Sequence, residues 1–149
     1  MGHFKANSSL ARFLPLAIAA LALAFGAVSC RQGSHERLYP TTGKVFYKGK
    51  PTEGAQVTFV SLTDHDAKKP KPGGQVGSNG VFRLSTYASY DGAPPGRYAV
   101  LIVYPSPDRK IDGEIAGPDL LQGRYADPKT TPLAAEIKEE TNNLEPFNL

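Results

Sequence analysis

From residue 13 to residue 28 the chain carries no charge and is almost wholly apolar, and Lys5 and Arg12 stand just ahead of that run. After residue 40 the pattern changes. Hydrophobic positions recur with a period of two in short stretches broken by Gly, Pro, Asn and Asp, and no window holds the 3.6 period of a long amphipathic helix. The clearest stretch is 55–60, where Ala55, Val57 and Phe59 share one face and Gln56 and Thr58 the other, the alternation of a half-buried strand. Residues 44–48 predict a strand that meets a turn at Gly49-Lys50-Pro51. A charged, Pro/Gly-rich loop is expected over 63–74. Asn79-Gly80 then predicts a tight hairpin turn, because both residues tolerate positive φ. Residues 81–85 follow, with Phe82 and Leu84 turned to the core.

The turn block 91–96 launches 97–104, a β-branched and aromatic run without polar alternation, as expected of a central strand. Residues 105–131 are the least regular stretch, with one helical turn expected over 119–122. Leu133, Ala135 and Ile137 alternate with Glu136 and Lys138, a polar turn is expected at 139–143, and 144–149 forms a last strand. Pro146 cannot donate to a ladder, which places that strand at an edge. Roughly six or seven short strands separated by regular turns predict an all-β fold, a single small antiparallel β-sandwich.

The N-terminal run has the order and sign of a secretory signal, and it is shorter than the roughly 18–20 apolar residues of a spanning helix. A permanent transmembrane anchor is the alternative reading. The expected organisation is a signal peptide over 1–29, a modified cysteine and polar tether over 30–40, and one domain over 41–149. Cys30 is the only cysteine, so no internal disulfide can form, and a free thiol would be a liability in an oxidising compartment. Removing residues 1–29 takes away two of the 17 basic residues and none of the 14 acidic ones, leaving a net charge of +1. The basic cluster Lys68-Lys69-Pro70-Lys71 sits among prolines and reads as a solvated loop, so no nucleic-acid partner is expected.

Ala27-Val28-Ser29-Cys30 resembles a bacterial lipobox, in which a cysteine after small residues is diacylglycerol-modified and becomes the new N-terminus; Ala27 stands where that motif usually has leucine. The other reading is a simple signal-peptidase site. Three segments resemble the carboxypeptidase regulatory-like, or transthyretin-like, domain: Gly43 to Val45 with Gly49 to Pro51 and Gly54 to Phe59; Ser78 to Leu84; and Pro95 to Val100. The tail, with Tyr125 to Pro128, 133–137 and Asn142 to Leu144, is similar to small lipoproteins of planctomycete-type bacteria. The resemblance implies a non-catalytic accessory domain, exported and lipid-anchored at the outer or cytoplasmic membrane. Its expected partners are the membrane, through the lipid on Cys30, and envelope proteins or glycan.

No catalytic, cofactor-binding or metal-ligating residue is assigned. A purine-pathway hydrolase of transthyretin-like fold relies on histidines, an arginine and a C-terminal Tyr-Arg-Gly-Ser, whereas this sequence ends Pro-Phe-Asn-Leu and keeps only His35 and His65 beyond the leader. Asp64-His65-Asp66 offers metal-ligand chemistry, but adjacent residues rarely converge on one ion. Ser85, Thr86 and Ser89 have no recognisable triad partners. Tyr87, Tyr90, Tyr104 and Tyr125 are the candidate ligand surface, an aromatic patch set against core or rim packing. In related surface adhesin domains a first-strand lysine condenses with a last-strand asparagine beside a buried acid. Lys44 and Asn148 have that order, and two exposed polar residues are the simpler expectation.

Overall fold

The computed structural model describes residues 36–149 except Ala116, and all of the strands below lie in that part. Cys30 and the apolar run lie outside the described residues. Among the described residues there is no helix. Eleven strands form two main sheets and one small hairpin, and the sheets pack face to face as an all-β sandwich.

The first sheet is built around β1 (Thr41–Tyr47), whose inward Thr41, Gly43 and Val45 are buried and whose Lys44 is exposed. Even-numbered backbone groups of β1 serve one neighbour and odd-numbered groups the other. Leu144 N donates to Thr42 O and Leu149 N to Phe46 O, while Leu84 N donates to Thr41 O and Val45 N to Gly80 O. Thus β2 (Lys50–Pro51) and β5 (Val81–Arg83) flank β1 antiparallel on one side. On the other side β10 (Asn142–Asn143) and β11 (Phe147–Asn148) run parallel to it. The antiparallel expectation therefore holds everywhere except along this edge. The register shifts by one residue between Thr42↔Asn143 and Val45↔Phe147, so a bulge falls at 144–146, where Pro146 has no N–H to give.

The second sheet has the order β4 (Gly73–Gln75), β3 (Gln56–Ser61), β6 (Gly96–Val103), β9 (Ala134–Ile137). The expected central strand is β6, held by six cross-strand pairs to β3 and four to β9. Ala55, Val57 and Phe59 are all buried, as their alternation requires. A row of rings crosses the core from one sheet to the other. Tyr98 lies 5.7 Å from Phe59, Phe59 lies 6.3 Å from Phe82, and Phe82 stacks on Phe147 at 6.3 Å. Full burial of each such side chain contributes about 1.5–3 kcal/mol.

Local chemistry departs from expectation at three turns. The first hairpin turns on Lys48 and Gly49, both at positive φ (51° and 76°), so Lys50 and Pro51 already pair back as β2. At Asn79-Gly80 only the glycine is left-handed (φ 80°). Asn79 instead accepts the Val81 N–H on its side-chain oxygen, and the turn runs from Gly77 to Gly80. At 119–122 there is a single turn and no helix: Gln122 N donates to Asp119 O, and positive φ at Gln122 and Gly123 stops propagation. Residues 105–131 also contain a hairpin not expected from the pattern, β7 (Lys110–Ile111) with β8 (Glu114–Ile115). Asp112-Gly113, both at positive φ, is the sequence signal that marks it.

Candidate functional site

The four tyrosines of the candidate surface fall in two places. Tyr87 and Tyr90 stand on the loop after β5, 46% and 66% exposed, and the Arg83 guanidinium lies 5.8 Å from the Tyr90 ring. Tyr104 is half-buried just past β6, and Tyr125 is 8% exposed and belongs to the core. The backbone explains the second pair. Leu120 N donates to Tyr104 O, and Ile102 N donates to Tyr125 O, so the 119–125 segment folds back along the end of β6 and carries Tyr125 inward. One shared aromatic patch is therefore not formed.

Asp119 organises that fold-back. Its Oδ1 accepts the N–H groups of Tyr104 (2.9 Å) and Leu121 (3.0 Å), and its Oδ2 accepts that of Gly123 (2.8 Å). A cleft of about 290 Å³ lies beside it, lined by Tyr47, Leu120, Gln122, Arg124, Tyr125 and Leu149 among others. Asp91 does the same for the Tyr87 loop, accepting from Thr86 N (2.6 Å), Tyr87 N (2.9 Å) and Ala88 N (2.8 Å). Burial pushes the Asp91 carboxyl up, but these backbone donors outweigh it and hold the group below its usual range.

At the opposite end of β6 a cleft of about 260 Å³ opens between the 62–72 loop and the Pro94-Pro95 turn, with Phe59 and Tyr98 beneath it and Tyr87, Asp64 and Lys69 on its rim. The Tyr98 hydroxyl donates to Pro94 O at 2.9 Å, which ties the turn to the strand. Burial, helped by the Glu36 carboxylate, pushes the Tyr98 phenol up to about 12. Lys69 pairs with Asp64 and, at 3.4 Å, with Glu36. These hydrogen bonds hold the Lys69 ammonium above its ordinary range and the Asp64 carboxyl below its own. The pairs are solvent-exposed and contribute little to stability.

Asp64-His65-Asp66 takes the form of two successive loop turns: Asp66 N donates to Asp64 Oδ1 and Lys68 N to Asp66 Oδ1. Among the described residues no three His, Cys, Asp or Glu side chains converge as a metal cluster would. Lys44 and Asn148 are both exposed, Lys44 level with Val81 and Asn148 with Phe46. The Asn148 amide donates to Pro146 O at 3.5 Å.

A third opening is a groove of about 310 Å³ between β9 and the C-terminal strands, lined by Ala134, Ala135, Glu136, Leu144, Glu145, Pro146 and Phe147. Nothing in the alternation of either strand marks it, because it exists only where two edges from different sheets meet.

No protein-family model matches the chain, and no curated protein matches it. The fold by itself defines the class, a small β-sandwich domain of two antiparallel-rich sheets.

Proposed function

We propose that the chain is an exported lipoprotein, anchored through an acylated Cys30, whose β-sandwich serves as a non-enzymatic structural or protein-interaction module of the cell envelope. The observation that carries this reading is the position of the sole cysteine, directly after Ala27-Val28-Ser29 at the end of an uncharged apolar run that follows Lys5 and Arg12. Two or three acyl chains give stable anchoring where one gives marginal binding. The resemblance to transthyretin-like accessory domains supports the non-catalytic part of the reading.

The test is intact mass and detergent-phase partitioning of envelope protein, wild type against Cys30→Ala. A mature chain beginning at Cys30 with added acyl mass, and an unprocessed variant, is the expected result. A chain that begins elsewhere with a bare thiol overturns the anchor.

A second reading, glycan or small-ligand binding, is favoured by one observation: Tyr87 and Tyr90 share one loop and are largely exposed. Glycan-array binding that disappears in Tyr87→Ala and Tyr90→Ala, and survives Tyr104→Ala, would support it for that loop.

A further inference from the structure

The two long sides of the sandwich are closed differently. Along one side β4 and β5 belong to different sheets yet are stitched by backbone: Gly73 N donates to Ser85 O at 3.0 Å and Ser85 N to Gly73 O at 2.8 Å. Along the other side β9 faces β10 and β11, and the hydrogen bonds there are made by side chains: the Tyr39 hydroxyl, just ahead of β1, donates to Glu139 Oε2 at 3.3 Å, and Asn142 ties down the turn that links β9 to β10. Buried Asn142 accepts the Lys138 N–H at 2.9 Å and donates to Lys138 O at 3.1 Å and Glu140 O at 2.6 Å. Beyond these bonds, the groove between 134–136 and 144–147 is open.

The free edge of β9 follows from its register. Val100 N donates to Leu133 O, and β6 pairs Tyr98 with Ala135 and Gly96 with Ile137. In an antiparallel ladder alternate residues turn their N–H and C=O groups to the partner. Leu133, Ala135 and Ile137 therefore serve β6, while the N–H and C=O groups of Ala134 and Glu136 point away from it, along the rim of the groove. A sheet edge of this kind is a template for another strand.

Side chains specify what that strand would carry. Ala135, Leu144 and Phe147 are half-buried and pack against the core, so the inner side of the groove is apolar. The outer side is acidic. Glu136 and Glu145 line the groove from opposite sides, against Arg97, the cross-strand neighbour of Glu136. An added strand presents successive side chains to opposite faces, so apolar residues would enter the groove while the alternate ones stand beside the glutamates.

We propose that this open side is a β-augmentation site for an extended segment of a partner protein, in which basic residues alternate with apolar ones and which adds to β9. The proposal rests on the interaction-module reading above and assigns it a surface. Main-chain hydrogen bonds supply affinity and the alternation supplies specificity.

The test is fluorescence anisotropy with the full chain in non-ionic detergent at physiological salt. The probe is a labelled short peptide alternating lysine and valine. Its companions are the glutamate–valine counterpart and a lysine–valine peptide N-methylated on the face that meets β9. Binding of the first alone is expected. Ala134→Pro, which removes an outward donor and leaves the β6 ladder intact, should weaken it at least about tenfold, as should Glu136→Lys with Glu145→Lys. Equal binding of the acidic or N-methylated peptide overturns the proposal, as does self-association through β9 with no peptide binding. The N-methylated probe keeps the test decisive if Ala134→Pro fails to fold. Acyl mass at Cys30 is read independently of peptide binding, so failure of the anchor and failure of this site are separable.

Discussion

The tip of the Phe82 ring lies against Gly43, its cross-strand partner in the first sheet, so closely that a Cβ at position 43 would stand 2.5 Å from Cζ and 2.7 Å from Cε1. The same ring touches Phe59 on the opposite sheet and Phe147 on the last strand. The absent side chain at 43 is what lets one aromatic fill the space between two sheets. Gly43→Ala should cost about 1–3 kcal/mol by overpacking, seen as a lowered thermal midpoint. Combining it with Phe82→Leu should cost less than the sum of the two single changes, because the clash is then gone.

Asp91 should shape the acid limb of stability. Its folded carboxyl is held below the ordinary value of about 3.9, so its contribution is complete above that pH and is lost as pH falls through the folded value. Denaturant titrations are expected to show Asp91→Asn weaker than wild type at neutral pH by about 1–2 kcal/mol, with a shallower loss below about pH 4. Parallel acid profiles for the two proteins would refute the assignment.

Tyr98 acts at the alkaline end. Its phenol is raised to about 12 in the fold, against about 10 in an unfolded chain, so its stabilisation is complete below about pH 10 and fades as pH rises through 12. Tyr98→Phe loses the hydrogen bond to Pro94 O and about 1 kcal/mol at neutral pH. The wild-type decline between about pH 10 and 12 should be blunted in this variant.

Asn142 holds the turn that links β9 to β10 on the open side. Asn142→Ala leaves the Lys138 N–H and two carbonyls without their side-chain partner and should cost about 1–3 kcal/mol. Hydrogen exchange localises the effect: protection should fall at residue 138 and along 142–149, while the β3–β6 ladder keeps its own.

The strands that proved easiest to read are those whose partners do not matter to the pattern. Ala55, Val57 and Phe59 alternate because one face of β3 meets the core, and residues 98–104 are apolar throughout because both faces of β6 are buried or half-buried. Asp112-Gly113 was legible in principle, yet its hairpin carries no hydrophobic alternation to draw notice. The tyrosines were not legible. Tyr87 and Tyr125 are chemically alike in sequence, and only the fold-back anchored by Asp119 sends one inward and leaves the other on the rim.

The sequence by itself determined the class of fold, the positions of most turns, the core-facing residues of β3 and β5, and the central place of β6. Tertiary structure alone decided that the last strands run parallel to β1, that Gly73 and Ser85 close one side, and that β9 and β11 leave the other open. The reason is physical. Hydrophobic alternation records which face of a strand leaves water, because burial acts on side chains one residue at a time. The choice of neighbour is made through backbone N–H and C=O groups, which are the same at nearly every residue and so leave little mark in the sequence.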